Sequence, residues 1–475
     1  MEETHHQTPR PHIVILSTAG MGHVIPLTEL AKQLVLLHNF SITFIIPPFG
    51  SPSTAMISVL DDLPPENINY TFLRPVNLDD QPKDARVETL IALTVSRSLP
   101  YLREEFKIIT ATKRVVALIV DLFATDALDV AKEFDVSPYI VFPSSAMSLL
   151  LFFDIPNLHE SYSGEFRDLP EPLQLPGCAP CPGPELLYAI QDKKNDAYTW
   201  ILHHSKRYNL ADGILLNSFI DLEQGAMRAL MKEEPGKPPV YPVGPLIQRH
   251  LTNRVDESGC LKWLDKQPRG SVLFVSFGSG GTLSYEQLIE LAYGLEMSGQ
   301  RFLWVVRGPN ATAKGTYLSH SSNDPFDFLP DGYLDRTKGS GLLVHSWAPQ
   351  IQILSHGSTG GFLSHCGWNS TLESIVYGVP MIAWPLFAEQ KMNAIMLVED
   401  VRVALRPRAN ENGFIGREEI AWVVRILIEG EEGKSLGNKM RELKEAAATV
   451  LRENGSSTKS LFDVAQKWKN NNKTI

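Results

Sequence analysis

The chain has 475 residues, of which 43% are hydrophobic and 21% are charged, and its formal net charge at pH 7 is −10. This length exceeds one ordinary domain and predicts two domains of about 200 to 250 residues each. The proportions of apolar and charged residues are those of a globular protein with a sizeable core. The acidic balance disfavours nucleic acid and acidic membrane surfaces as partners, because both are polyanions.

No segment of the sequence has the pattern of a signal peptide or a membrane span. The longest apolar runs, VVALIV and SLLLFF, are far shorter than the roughly 20 residues that a spanning helix needs. We therefore expect a cytoplasmic protein with no membrane partner. Cys178 and Cys181 have the spacing of half a zinc or redox motif, but no second pair accompanies them, so reduced thiols are the preferred interpretation.

The first half of the chain opens with alternating strand and helix signals. Residues 12–17 (HIVILS) predict a strand, a glycine loop follows, residues 26–37 have helical spacing, and SITFIIPP predicts a second strand. This is the opening of a parallel sheet. A dinucleotide fingerprint is poorly matched, because Gly20-x-Gly22 lacks the third glycine and no acidic residue ends the second strand.

Two polar residues of this half follow buried strands. His23 comes after the first strand and its glycine loop, and Asp121 ends the strand RVVALIVD. Open α/β sheets bind ligands at the carboxyl ends of their strands. An imidazole can accept a proton near neutral pH, and a carboxylate can orient it. Helix capping is the alternative role for each residue, and Asp126 is a second candidate for the carboxylate.

The same opening recurs in the second half, after a stretch rich in proline, glycine and charge. SVLFVSF predicts a strand, a glycine loop containing Ser279 follows, and YEQLIELAYGLEMS predicts a helix. We expect an α/β fold of two Rossmann-like domains, residues 11–245 and 259–455, joined by a linker at 246–258. A polar, serine-rich loop is predicted at 311–327. Further helices are predicted at residues 87–106, 418–427, 438–451 and 459–468.

Residues 347–390 hold a strand ending at His365, a tight turn, and then a helix that includes TLESIVYGV. A strand–glycine turn–helix junction presents free N–H groups and the positive end of a helix dipole, which together favour a phosphate. We expect Asn369 or Ser370 to cap this helix and Glu373 to lie in its first turn.

The other polar groups of this stretch match the parts of a nucleotide sugar. Trp347 offers a flat face for a base, and Glu373 offers a carboxylate for two ribose hydroxyls. Glu389 and Gln390 offer hydrogen-bonding groups for the vicinal hydroxyls of a hexose. A packing role remains the alternative for any single residue, but a core has no reason to gather so many polar groups at strand ends.

This stretch resembles the signature box of the plant family 1 UDP-glycosyltransferases, with Trp347 first and Gln390 last. PHIVILSTAGMGHVIPL, VDLFATDALDVA, QDKKNDAY and CLKWLD are similar to the hydroquinone glucosyltransferase (arbutin synthase) group of that family. The resemblance implies the GT-B fold, two Rossmann-like domains facing across a cleft, with a last helix at 456–475 packing back on the first domain. It implies a monomer that transfers glucose from UDP-glucose to the hydroxyl of a small phenolic acceptor with inversion, without cofactor or metal.

The resemblance also implies a role for each matching residue. His23 is the catalytic base and Asp121 holds its ring. Acceptor contacts fall on Glu88, Phe123 and Phe152. Donor contacts fall on Ser279, Trp347, Ala348, Gln350, His365, Gly367, Trp368, Asn369, Ser370, Glu373, Glu389 and Gln390.

Several alternatives remain open at this point. The loop at 169–184 departs from the usual pattern of the group and lies near the acceptor in relatives, so the acceptor is not identified. Hydroquinone, another phenol, a monolignol, a chlorophenol or an indolic hydroxyl all fit. A non-catalytic binding protein on the same fold and an NAD-dependent oxidoreductase are the rival functions. A hydrolase is disfavoured, because no Gly-x-Ser-x-Gly elbow is present.

Overall fold

The computed structural model describes residues 10–248, 258–309 and 324–470. The predicted linker at 246–258 and the predicted loop at 311–327 therefore lie largely outside the described residues. All statements about the fold refer to the described parts of the chain.

Seven parallel strands of the described chain form the first sheet: β1 (His12–Leu16), β2 (Ser41–Ile46), β3 (Ile68–Phe72), β4 (Val115–Asp121), β5 (Ser137–Phe142), β6 (Gly213–Leu216) and β7 (Val240–Pro242). Their spatial order is β3-β2-β1-β4-β5-β6-β7. Ile13 and Ile15 pack in one apolar cluster, whereas Val14 and Leu16 pack in another, so both faces of β1 are covered. Such two-sided burial is why the strands are continuous apolar runs.

Helices connect these strands, as parallel pairing requires. They are α1 (Met21–His38), α2 (Thr54–Asp61), α3 (Val87–Thr110), α4 (Ala127–Glu133), α5 (Ala146–Ser161), α6 (Asp196–Arg207) and α7 (Gln224–Leu230). The helix predicted at 87–106 is confirmed and continues to Thr110. The sheet changes its direction of growth beside β1, because both β2 and β4 pair with it. The loops after β1 and β4 therefore meet at a switch point, where such sheets bind ligands.

The second sheet repeats this plan with six parallel strands: β8 (Val272–Ser276), β9 (Arg301–Val306), β10 (Gly341–His345), β11 (Thr359–Ser364), β12 (Met381–Ala383) and β13 (Ala404–Leu405). Their order is β10-β9-β8-β11-β12-β13, so the switch point lies between β8 and β11. The helices are α8 (Cys260–Leu264), α9 (Tyr285–Ser298), α10 (Tyr333–Thr337), α11 (Gln350–Ser355), α12 (Trp368–Tyr377), α13 (Gln390–Ile395), α14 (Arg417–Glu429) and α15 (Glu431–Val450).

Helix α15 differs from its prediction at its start. It begins at Glu431 rather than at residue 438, even though Gly433 and Gly437 disfavour a helix. Glu431 and Glu432 occupy its first turn, where acidic side chains stabilise the positive end of the helix dipole. Gly430 is extended and separates α15 from α14. Gly433 is required at its position, because a Cβ there would lie 2.0 Å from the carbonyl oxygen of Leu427, whereas Gly437 has open space around it.

The last helix, α16 (Ser456–Asn470), returns to the first sheet. Trp468 is 1% exposed, and its ring lies edge-on to Tyr139 at 5.0 Å and to Phe40 at 6.0 Å between centroids. Ser457 Oγ donates to the carbonyl of Gly244 over 2.6 Å. Helix α16 therefore packs against the first domain.

The structure also describes the two closely spaced cysteines, the absence of a metal-binding group among the described residues, and the character of the described helices. Cys178 and Cys181 are free thiols, and burial raises the pKa of each to about 12, which disfavours the thiolate form. Within residues 10–248, 258–309 and 324–470, no group of three or more His, Cys, Asp and Glu side chains is placed to hold a metal ion. No described helix combines the length and the apolar character that crossing a membrane requires.

We predict that Trp468→Ala lowers the free energy of unfolding by about 3 to 5 kcal/mol, because it empties a large buried volume between α16 and the first sheet. Trp422→Ala is the matched control: that side chain is 47% exposed, so its removal should change stability by about 0.5 kcal/mol or less. Chemical denaturation followed by circular dichroism measures both. Equal effects of the two substitutions would contradict the packing of α16 described above.

Candidate active site

His23 and Asp121 meet at the switch point of the first sheet. His23 lies in the first turn of α1, directly after the loop that follows β1, and Asp121 is the last residue of β4. His23 Nδ1 lies 2.6 Å from Asp121 Oδ2, and Asp121 Oδ1 accepts the N–H of Phe123 over 3.0 Å. The carboxylate is fully buried, whereas the imidazole keeps 20% of its side-chain surface exposed. The ring is therefore held from behind and remains accessible from the cleft.

The electrostatics of this pair favour a base. Burial acts to lower the pKa of His23, but the charge of Asp121, its hydrogen bond and the charge of Glu389 together raise that pKa above its usual value. Because Nδ1–H donates its hydrogen bond to Asp121, the other ring nitrogen, Nε2, is left to accept a proton from a ligand. The arrangement is that of a His–Asp pair in which the carboxylate orients and stabilises the imidazolium.

Asp126, the second candidate for the carboxylate, is not part of this pair. Its Oδ1 lies 2.6 Å from His203 Nε2 and 3.3 Å from Arg207 Nε, on the side of α6. The alternative in which Asp126 is the carboxylate that orients His23 is therefore wrong. The reason is geometric: Asp126 lies beyond the end of β4, and its side chain faces α6.

In the second domain, helix α12 begins at Trp368 and is capped by Gly367, which has an extended backbone. The expected caps, Asn369 and Ser370, lie inside the first turn instead. Gly367 is required because a Cβ there would lie 2.3 Å from Nε2 of the His365 ring. A capping side chain is excluded at that position, so the first N–H groups of α12 have no side-chain cap.

The N-termini of α1 and α12 face each other across the cleft. Asn369 Nδ2 donates to the carbonyl of Gly22 over 3.2 Å, directly beside His23. Each helix start carries about half a positive charge, and two such ends converge on one space. His23 of the first domain therefore faces the N-terminus of α12 in the second.

His365 lies between the two glycine loops of the second switch point. The Gly278 backbone is left-handed, with φ of 73°, and a Cβ there would lie 2.5 Å from Cε1 of the His365 ring. Burial lowers the pKa of His365 to about 4, so the ring is neutral at working pH. Its Nδ1 is buried and has no hydrogen-bond partner among the described residues. A neutral imidazole beside Ser279 and the start of α12 can donate to a phosphate oxygen.

Of the residues expected at the nucleoside, Gln350 and Glu373 are joined by a hydrogen bond. Trp347 is 60% exposed and offers a ring face, and Ala348 next to it is buried. Gln350 Nε2 donates to Glu373 Oε2 over 2.6 Å and to Ser370 Oγ over 2.9 Å. Burial raises the pKa of Glu373 to about 7, although the bond from Gln350 acts to lower it. Glu373 lies in the second turn of α12, not in the first as expected, because α12 begins at Trp368.

Glu389 and Gln390 each use one oxygen within the protein. Glu389 Oε1 accepts the hydroxyl of Ser144, from the first domain, over 3.0 Å. Gln390 Oε1 accepts the N–H groups of Leu386 and Phe387 over 2.9 and 3.0 Å. These bonds fix the orientation of both side chains, so that Oε2 of Glu389 and the amide N–H₂ of Gln390 can face sugar hydroxyls.

Trp368 has a different position from the one expected for a residue that contacts the sugar. The side chain is 3% exposed, and its Nε1 donates to the carbonyl of Asn217 over 2.7 Å. The indole N–H is the only hydrogen-bonding group of this side chain, and it is occupied within the protein. Trp368 therefore joins the two domains, and only its backbone N–H, at the start of α12, can serve an anion.

The three residues expected to contact the acceptor lie in different surroundings. The Phe123 ring is 5.8 Å from that of His23, so it borders the base. Glu88 is partly buried, and its pKa is raised by burial and by the charge of the nearby Glu389. Phe152 is 4% exposed and stacks on Tyr208 at 5.6 Å. The structure thus places Phe123 beside His23 and Glu88 near Glu389, whereas Phe152 belongs to the core.

Some cleft contacts were missed by the sequence interpretation. Ser144 and Asn217 each follow a buried strand, so the rule that selected Asp121 could have found them. Tyr188 donates its N–H to the carbonyl of Ala388 over 3.1 Å, and the Arg86 guanidinium lies 4.6 Å from the Tyr188 ring centroid. No local pattern marks these last contacts, because they join segments that are far apart in the sequence.

Comparison with known proteins agrees with this geometry. The family model described as UDP-glucoronosyl and UDP-glucosyl transferase matches residues 250–430. The chain is 60% identical to hydroquinone glucosyltransferase of Rauvolfia serpentina, over 97% of this chain and 98% of that protein. The chain belongs to the UDP-glycosyltransferase family, and its two facing parallel sheets are the GT-B fold of that family.

Two solved structures of the family are similar over almost their whole length. One is a UDP-glucosyltransferase from Polygonum tinctorium, capable of glucosylating indoxyl, in complex with 3,4-dichloroaniline; it is 54% identical, with a TM-score of 0.91, over 98% of this chain and 99% of that one. The other is Phytolacca americana UGT2 with UDP-2-fluoro-glucose and pterostilbene; it is 51% identical, with a TM-score of 0.89, over 97% of this chain and 100% of that one.

We predict that uridine binding weakens about tenfold between pH 8 and pH 6. Ribose hydroxyls donate to the ionised form of Glu373, and its pKa of about 7 means that the carboxyl must first lose a proton at the lower pH. Uridine is the ligand of choice because it has no phosphate that titrates in this range. Calorimetry at several pH values measures the change.

Glu373→Gln should bind uridine weakly at pH 8 and lose the pH dependence, whereas His23→Ala should keep it. A wild-type affinity that is constant from pH 8 to pH 6 would remove Glu373 from the ribose site.

Proposed function

We propose that this protein transfers glucose from UDP-glucose to the hydroxyl of a small aromatic acceptor, forming a β-glucoside and UDP. The observation that carries this proposal is the His23–Asp121 pair, bonded at 2.6 Å, which faces the start of α12 through the contact of Asn369 with Gly22. A base and an anion site that face each other are what an attack on a sugar phosphate requires.

In the proposed reaction His23 Nε2 accepts the proton of the acceptor hydroxyl, while Asp121 holds Nδ1–H and stabilises the imidazolium. The acceptor oxygen attacks C1 of glucose from the face opposite the diphosphate, and the bond from C1 to the phosphate oxygen breaks. Attack from the opposite face inverts the configuration at C1. A phenol suits this base, because its pKa near 10 makes it far easier to deprotonate than an alcohol.

The departing diphosphate gains negative charge, and the second domain offers groups to stabilise it. These are the backbone N–H groups at the start of α12, the hydroxyls of Ser279 and Ser370, and the imidazole of His365. We propose that these groups and the helix dipole perform the neutralisation that a divalent cation performs in other sites, so that no metal is required. Trp347, Ala348, Gln350 and Glu373 are proposed to hold uridine.

Glucose and an aromatic acceptor are the substrates that the relatives favour. The Rauvolfia protein is named for hydroquinone, the Polygonum enzyme glucosylates indoxyl, and the Phytolacca complex holds UDP-2-fluoro-glucose with pterostilbene. Glu389 and Gln390 are proposed to bind the glucose hydroxyls, and Phe123 and Glu88 to border the acceptor. We further propose that the protein acts as a cytoplasmic monomer in plant secondary metabolism, with no nucleic-acid or membrane partner.

A panel of aromatic hydroxyl compounds tests this function directly. The purified chain is incubated with UDP-glucose and each compound in EDTA, and we expect mass spectrometry to detect glucosides of phenols, with proton NMR giving the coupling of a β-anomer. UDP-galactose is the control donor and should react more slowly. Binding of UDP without any glucoside across the panel would favour a non-catalytic binding protein.

We predict that His23→Ala lowers kcat by at least about a hundredfold, because a general base in contact with the reacting proton contributes this much or more. The affinity for UDP-glucose should stay within a few fold, since the donor groups lie on the second domain. Stopped assays of glucoside formation and calorimetry with UDP-glucose measure the two quantities. Turnover within a few fold of wild type would exclude His23 as the base.

A further inference from the structure

Arg307 lies at the carboxyl end of the second sheet and contacts the loop that holds Ser279. It directly follows β9, which pairs with β8, and β8 leads into that loop. Arg307 Nη1 donates to the carbonyl of Gly278 over 3.0 Å and also to the carbonyl of Ser279. The guanidinium therefore binds two successive carbonyl groups of the loop.

These two bonds determine where the N–H groups of the loop point. In a planar trans peptide, the C=O of one residue and the N–H of the next point in opposite directions. With the carbonyls of Gly278 and Ser279 on Arg307, the N–H groups of Ser279 and Gly280 point away from the guanidinium. Successive N–H groups that follow a left-handed residue such as Gly278 form an anion-binding concavity.

Arg307 differs from other half-buried arginines in this protein in the groups that its guanidinium contacts. Arg207 lies 2.6 Å from Asp129, and Arg406 lies 2.8 Å from Glu185. None of the ion pairs between the described residues includes Arg307, whose contacts are to neutral carbonyls. Its positive charge is thus not neutralised by a described carboxylate, and it stands behind the loop opposite the N–H groups.

We propose that Arg307 is a positioning residue for the donor diphosphate: it holds the loop carbonyls so that the N–H groups of Ser279 and Gly280 face the phosphates, and it adds a positive charge behind them. This inference rests on the proposed function, since it needs a diphosphate ligand. The proposal gives a role in donor binding to Arg307, at the end of β9, which lies outside residues 347–390.

The comparison of UDP with uridine tests the role of Arg307. In Arg307→Gln the loop loses its charged donor, so calorimetry should show an affinity for UDP that is about 10- to 100-fold lower, whereas the affinity for uridine stays within about 3-fold. Arg301→Gln is the matched control, because it removes an exposed arginine at the opposite end of the same strand. That variant should bind both ligands as the wild type does.

A purely structural role for Arg307 would lower both affinities equally, together with the melting temperature, and that result would overturn the proposal. Unchanged UDP binding by Arg307→Gln would overturn it as well. If Arg307→Gln fails to fold, Arg307→Lys decides by the same comparison, because it keeps the charge but not the geometry: selective loss of UDP affinity supports the proposal, and equal or absent losses contradict it. A wild-type chain that binds no UDP would refute the proposed function itself.

Discussion

The geometry of the candidate active site depends on the close approach of two helix N-termini across the cleft. Helices α1 and α12 point their N-termini at each other, and Asn369 bonds to Gly22 where they meet. Two partial positive charges at this distance are mutually unfavourable unless an anion lies between them. The same approach sets the distance between His23, the proposed base, and the residues proposed to bind the donor. In the proposed reaction, this one distance affects both binding and chemistry.

The interface between the domains supports that relation through buried polar contacts. Trp368 bonds to Asn217, and Ser144 bonds to Glu389, so each contact joins a residue after a first-sheet strand to a residue of the stretch 347–390. Such bonds are worth more in a buried interface than at the surface, because an unpaired partner would lose its hydration without compensation. The contacts that join the two domains therefore also hold side chains that are proposed to line the donor site.

The sequence predicted the features that depend on local pattern. The strand and helix order, the His23–Asp121 pair and the helix start beside His365 follow from apolar periodicity and from polar residues at strand ends. The predicted cap of α12, Asn369 or Ser370, is wrong. The cap is Gly367, and glycine is needed there because the His365 ring packs against it. Phe152 was assigned to the cleft, since its neighbours in the core, such as Tyr208, come from another element. The role of Arg307 was missed, because it depends on which carbonyls the side chain reaches.

The return of α16 has a mechanical consequence. The chain crosses from one domain to the other twice, once after β7 and once between α15 and α16. Helix α16 is held near both of its ends: Ser457 bonds to the carbonyl of Gly244, and Arg114 bonds to the carbonyl of Lys469. A body tethered at one point can swivel in every direction, whereas a body tethered at two points turns only about the line that joins them. Two connections therefore restrict the rotation of the second domain relative to the first more than a single connection would.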